Sequence, residues 1–147
     1  MQNVVRILNN LKISRPPVIS STRVLLPGAP PASHLPLNPV LYLSLAVDSI
    51  APLIRLRSVK GMAGGGATTQ IPIPLELRTR RRLAIGWIVE AAKKKQFRGS
   101  GKGGLAQRIS DEVIAIIEGK SSLWLKRTEL HKAGVTARSN LGKRPRK

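Results

Sequence analysis

The 147-residue chain has no cysteine, which excludes disulfide staples, thiolate metal sites and cysteine nucleophiles. Histidine occurs only at His34 and His131, so without cysteine a metal site lacks ligands. Only seven Asp and Glu side chains are present, too few and too scattered for paired-carboxylate or Ser/His/Asp catalysis. Aromatic residues are scarce as well, with one Phe, one Tyr and two Trp. Single-strand binders need exposed stacking platforms, so a recognition sheet of that kind is disfavoured. The longest apolar run, Val40 to Ile54, is broken by Asp48 and Pro52 and falls short of the roughly 20 apolar residues of a spanning helix. The composition therefore predicts no enzyme, no cofactor, no metal and no membrane span.

Positive charge is what the chain has in quantity. Its 26 Lys and Arg against seven acids give +19, which predicts a polyanionic partner. Residues 78–147 hold 19 basic and five acidic side chains, and residues 1–77 hold seven and two. The electrostatic footprint therefore lies mostly in the C-terminal half. At 41% hydrophobic the chain is too apolar for a disordered basic tail and suits one small domain with extensions. The first 47 residues contain no acid and carry Arg6, Lys12, Arg15 and Arg23. That composition fits an organellar targeting peptide and equally fits an ordinary basic arm.

Residues 2–13 can form a short helix with Val4, Val5, Ile7, Leu8 and Leu11 on its apolar side, after which six prolines up to Pro36 predict an irregular strap. Asn38-Pro39 is an N-cap followed by a proline at the first helical position, opening a helix over 39–51. Two short segments, 55–60 and 67–73, flank a glycine-rich tip and read as a β-hairpin arm, with Pro72 and Pro74 limiting the second strand. A helix over 78–95 has Leu83, Ala84, Trp87, Ile88 and Ala91 on one side. Ile85 and Val89 lie on the other, and Gly86 invites a close neighbour, so its middle should be covered from more than one side. Leu105 to Glu118 shows a cleaner stripe of Leu105, Ile109, Val113, Ile116 and Ile117 opposite Gln107, Asp111 and Glu118, with Gly119 as the stop. A last helix starts at Ser121 or Ser122 and runs through Trp124, Leu130, Ala133 and Ala137. The predicted fold is mainly α, a bundle of about five helices with a projecting β-hairpin. Its organisation is residues 1–37 as short helix and strap, 38–141 as the helical domain with the hairpin at 55–73, and 142–147 as a basic tail.

Gly99 to Gly104 precedes a helix in the manner of a phosphate loop. However, Gln96 stands where the first glycine belongs, Gly103 stands where Ser or Thr would ligate magnesium, and no strand precedes it. A nucleotide-binding loop is rejected, although Lys102 and the glycine amides could contact phosphate. Five basic clusters remain along the chain, one of them Lys143, Arg144, Arg146 and Lys147 in the tail. Candidate RNA-contacting residues are Arg55, Arg57 and Lys60 on the hairpin, Arg78, Arg80, Arg81 and Arg82 at a helix start, and Lys93, Lys94, Lys95, Arg98 and Lys102 at its end. Lys126, Arg127 and Lys132 complete the set on the last helix. Neutralising many phosphates makes binding strongly salt dependent, and arginine favours forked hydrogen bonds to them. His131, set among Lys126, Arg127 and Lys132, is expected to face phosphate or solvent.

Four ordered stretches resemble the small-subunit ribosomal protein seven family. Arg55 to Pro72, RLRSVKGMAGGGATTQIP, is similar to its basic hairpin with a Gly-Gly-x-x-x-Gln-x-Pro turn, and Arg81 to Lys95, RRLAIGWIVEAAKKK, to its arginine-led helix. LAQRISDEVIAIIE at 105–118 and KRTELHK at 126–132 match the next two helices in order and spacing. The lead-in LLPGAPPASHLPLNPVLYL looks like fungal mitochondrial members. A family helix carrying a Gly-Lys-Lys segment is missing, and residues 1–11 look like the segment normally found after that helix, as expected of a shortened chain. The aromatic residues of bacterial members near the end of the last helix are also absent, Asn140 and Leu141 standing there.

The resemblance implies a structural protein of the mitochondrial small ribosomal subunit, in the mitochondrial matrix. It would bind the 3′ major domain of the rRNA, nucleate head assembly beside neighbouring small-subunit proteins, and reach its hairpin toward exit-site tRNA and mRNA. Gly61, Gly64, Gly65 and Gly66 would shape the hairpin tip there. The alternative from charge alone is an architectural DNA-binding protein of an organellar nucleoid. Deleting residues 61–66 is expected to spare docking on RNA while impairing exit-site function, as read by RNA binding and translation assays. Loss of docking itself would make the hairpin an anchor.

Overall fold

The computed structural model describes residues 2–19, 25–60, 68–95 and 104–142. Five α-helices and a two-stranded hairpin occur among them, in the order α1 (Gln2–Ile13), α2 (Pro39–Ile50), β1 (Ile54–Lys60), β2 (Thr68–Pro74), α3 (Leu77–Lys94), α4 (Gly104–Ile117) and α5 (Leu123–Ala137). Short 3-10 turns lie at Ala32–His34, inside the proline-rich strap, and at Arg138–Asn140. The mainly α architecture with one hairpin is the one the sequence predicts. Gly61, Gly64, Gly65, Gly66, Arg98, Lys102 and the basic tail after residue 142 lie outside the described residues.

Local chemistry fixes the helix ends. Asn38 Oδ1 accepts the Leu41 N–H at 3.1 Å, and Pro39 occupies the first helical position, which starts α2 as expected. Gly119 has φ +74°, the left-handed conformation that favours glycine. Its N–H reaches Ile116 O at 3.0 Å and the Lys120 N–H reaches Ala115 O at 2.8 Å, the paired bonds that close α4. Arg108 on α4 donates from Nη1 to Lys95 O at 2.9 Å and so covers the end of α3. Ser121 rather than Ser122 serves the start of α5, its Oγ accepting the Leu123 N–H at 3.1 Å.

Helix α4 packs against α1, α2 and α3, while α5 packs against α2, α3 and the hairpin. The core gathers Ile7 and Leu11 of α1, Leu35 of the strap, Tyr42, Leu45, Ala46, Val47 and Ile50 of α2, Ala84 and Ile88 of α3, Val113, Ile116 and Ile117 of α4, and Leu123 and Trp124 of α5. Each large apolar side chain there contributes about 1.5–3 kcal/mol by leaving water. Trp124 also donates its indole N–H to Ile116 O at 3.0 Å, joining α5 to α4. Burial, and then the charge of Glu118, push the Tyr42 phenol up to about 12, so it is a neutral core group at physiological pH. The hairpin is antiparallel with Arg55 opposite Ile73 and Arg57 opposite Ile71. Its second strand continues through Pro72 to Pro74, because the two prolines are two residues apart and both nitrogens can face the free edge of a two-stranded ribbon.

Several side chains sit differently from expectation. Ile85 is 51% exposed and Gly86 has open space around it, so the covering of α3 does not extend to these two positions, although Val89 is half-buried. In α5 Ala133 is exposed while Gly134 is buried. A Cβ on Gly134 would collide with Ile54 Cδ1, so the helix meets the hairpin there. Glu118 is buried rather than on the polar side of α4, and Val4 and Val5 are exposed, because α1 buries Ile7 and Leu11 and half-buries Leu8. Leu83, Ile109 and Leu130 are half-buried.

His131 is half-buried and makes a bond that its sequence neighbours do not announce. Its Nε2 accepts the Leu53 N–H at 3.1 Å, tying α5 to the lead-in of β1. Burial first, then Arg127 and Arg80, hold the imidazole below its ordinary value of 6.5. A base with a depressed native pKa takes up protons more readily when unfolded. Its stabilising effect is therefore complete above about pH 6.5 and lost as pH falls through the native value. Denaturant melts across pH 7.5 to 5 are expected to show this loss in the native chain and a flatter profile in His131→Gln. Parallel profiles would remove His131 as the titrating tie.

Candidate nucleic-acid interface

All seven acidic side chains lie within the described segments, which allows the cations to be sorted by partner. Asp48 on α2 accepts two bonds of 2.6 Å from Arg81 Nε and Nη2 on α3. That fork and the charge of Asp48 push the Arg81 guanidinium further up. Glu90 on α3 holds Lys94 at 2.8 Å and Lys126 of α5 at 3.1 Å. Those two bonds, Lys94 first, keep its carboxyl below the usual carboxylate range. Buried Glu112 on α4 accepts from Ser121 Oγ and pairs with Lys95 Nζ, both at 2.5 Å. Glu118 pairs with Lys120 at 2.7 Å. That bond, with help from the Val18 N–H and Arg15, outweighs burial and lowers the Glu118 carboxyl.

Four candidate residues, Arg81, Lys94, Lys95 and Lys126, are thus exposed but paired with acids of the same chain. Lys126 also lies 5.0 Å from the centre of the Trp87 ring, covering the one half-buried tryptophan. Arg55, Arg57, Lys60, Arg78, Arg82, Lys93 and Lys132 are exposed and make no ion pair among the described residues. On β1 the alternation is clean at its base: Ile54 and Leu56 are half-buried, whereas Arg55 and Arg57 point outward together. Sequence reasoning grouped paired and unpaired cations in one set, because pairing depends on tertiary neighbours. The break in the α2 apolar run at Asp48 is the one signal that could have flagged the Arg81 pair.

Helix α3 opens with Arg78, Arg80, Arg81 and Arg82 and has no acid in its first turn. Cations at this positive end of the helix oppose its dipole, whereas Lys93 and Lys94 at the other end complement it. The start of α3 is therefore a strong anion attractor assembled against local helix stability. Arg78, Arg81 and Arg82 share an open depression of about 660 Å³ with Leu77 and Ile85. Arg127 differs from the exposed set, being half-buried, with its Nε donating to Ala51 O at 3.4 Å and its guanidinium 5.9 Å from the Trp124 ring. The described residues contain no group of three or more His, Asp or Glu able to hold a metal ion, and no helix long and apolar enough to cross a membrane.

The chain is similar to known proteins. The family model described as Ribosomal protein S7p/S5e matches residues 30–138, which span the end of the strap, the hairpin and α2 to α5. The small ribosomal subunit protein uS7m of Neurospora crassa is 49% identical over 140 residues, covering 95% of this chain and 45% of its own length. The uS7 proteins of Thiomonas delicata and Azotobacter vinelandii are 33% and 34% identical over 95 residues, covering 65% of this chain and 56% of theirs. The chain spans about half the length of the curated relatives it matches. With the helices, hairpin and arginine-led α3 in the order the family match covers, the chain belongs to the ribosomal protein S7p/S5e family.

Proposed function

We propose that this chain is a structural, non-catalytic protein of the mitochondrial small ribosomal subunit that binds the 3′ major domain of its rRNA and organises the head. The observation that carries this reading is the 49% identity to the Neurospora mitochondrial protein across 95% of the chain. The unpaired cations support it independently, since they are concentrated on the outward face of β1, the two ends of α3 and the flank of α5. Arg55, Arg57, Lys60, Arg78, Arg80, Arg82, Lys93, Arg127 and Lys132 are the proposed phosphate contacts. Arg81, Lys94, Lys95 and Lys126 are proposed to act chiefly by shaping that surface. Neighbouring small-subunit proteins are the proposed protein partners, and the hairpin is proposed to extend toward exit-site tRNA and mRNA.

Shape and backbone recognition of folded RNA suits a surface rich in arginine and poor in exposed aromatics. Binding to a transcript of the mitochondrial rRNA 3′ major domain is expected to exceed binding to a length-matched scrambled folded RNA. The expected margin at near-physiological salt is about ten-fold or more, equivalent to about 1.4 kcal/mol. Equal binding, or a preference for duplex DNA, would overturn the reading.

A further inference from the structure

Arg80, Arg127 and His131 come together around the short segment that leads from α2 into β1. Arg127 Nε donates to Ala51 O, and His131 Nε2 accepts from Leu53 N–H. The two side chains share one face of α5 because they are four residues apart. The Leu75 N–H bonds Leu53 O at 3.0 Å, which brings the start of α3 to the same segment. Arg80 stands one turn into that helix. Its Nε is buried and has no acceptor.

No carboxylate balances this cluster. Asp48, Glu90, Glu112 and Glu118 are committed to Arg81, Lys94 and Lys126, Lys95, and Lys120 respectively. Asp111 accepts from Gln107, and Glu76 and Glu129 pair with neither arginine among the described residues. The segments outside the described residues contain no Asp or Glu at all. Burial and the charge of Arg80 pull the Arg127 guanidinium below its ordinary value, and both arginines act on His131 in the same sense. Arg138 lies in the same groove as His131 and adds a further positive charge.

Half-buried like charges held together, with a buried donor that has no acceptor, form an environment that favours an anion. We propose that Arg80 and Arg127 together bind a single tetrahedral oxyanion, a phosphodiester of the RNA backbone, with His131 held neutral beside them by the Leu53 N–H. This rests on the RNA-binding reading and sharpens it, because it assigns two arginines from different helices to one phosphate. Occupancy would lock α3, α5 and the α2–β1 segment together. Docking on RNA would then rigidify the junction from which the hairpin projects.

The first test uses sulfate, a divalent oxyanion whose charge is constant near neutral pH, and follows the His131 ring protons by NMR. Sulfate is expected to raise the His131 midpoint saturably, by about half a unit or more beyond chloride at equal ionic strength. Arg80→Gln and Arg127→Gln are each expected to start from a higher midpoint and to lose the sulfate response. A response no larger than that of chloride, or one kept in both variants, would overturn the site.

The second test measures the salt dependence of binding to the 3′ major domain transcript. Either single variant is expected to lower the slope by about one, and the double variant by no more than either single one. A loss of about two in the double variant would mean two separate phosphates and would overturn the bridge. A sulfate response in a chain showing no preference for the rRNA would keep the anion site while removing the ribosomal reading.

Discussion

A chain carrying +19 on 147 residues has to fold against its own repulsion, and the rest of the structure depends on where its seven acids are spent. Four of them join separate parts of the chain. Asp48 ties α2 to α3, Glu90 ties α3 to α5, Glu112 gathers the end of α3, α4 and the lead-in to α5, and Glu118 ties the end of α4 to the N-terminal strap. Such pairs add little stability when fully exposed. Glu112 and Glu118 are buried, however, and a buried carboxylate without its partners would be strongly unfavourable. The ion pairs therefore specify the helix arrangement as well as lowering the internal repulsion.

Specifying the arrangement also sorts the cations. Those that meet an acid become part of the scaffold, and those that do not are the proposed phosphate contacts. The second set is spread over one strand face, two helix termini and a helix flank rather than a single patch, which suits the uneven backbone of a folded RNA better than a regular groove. The apolar core holds these elements in fixed relation through α4, which touches three other helices. A marginal free protein that gains stability when bound is the expected behaviour, because a polyanion relieves the repulsion the acids leave uncancelled.

Helix existence, order and approximate ends were legible in the sequence because they rest on local chemistry: Asn38-Pro39, Gly119, the apolar stripe of α4 and the paired segments around the hairpin tip. Side-chain burial was less legible. The apolar pattern of α3 runs almost all round the helix, so periodicity could not tell that Ile85 and Gly86 face outward. Gly134 displaced Ala133 as the contact point because α5 meets a hairpin strand that crosses it, and the Ile54 side chain needs the missing Cβ. Glu118 was misjudged because its carboxylate is paired with Lys120 beyond the helix end, and the His131 bond was hidden because its donor, the Leu53 N–H, is distant in sequence. The division of the basic set into paired and unpaired members was invisible for the same cause.

The most direct measurement compares the salt slope of rRNA binding for two double variants. Arg78→Gln with Arg82→Gln removes two unpaired cations, and Arg81→Gln with Asp48→Asn removes a matched pair. The account predicts that the first lowers the slope by about two with little change in thermal stability, whereas the second leaves the slope unchanged and lowers the melting temperature. Equal losses of slope in the two variants would contradict it, because the acids would then have no part in deciding which cations meet the RNA.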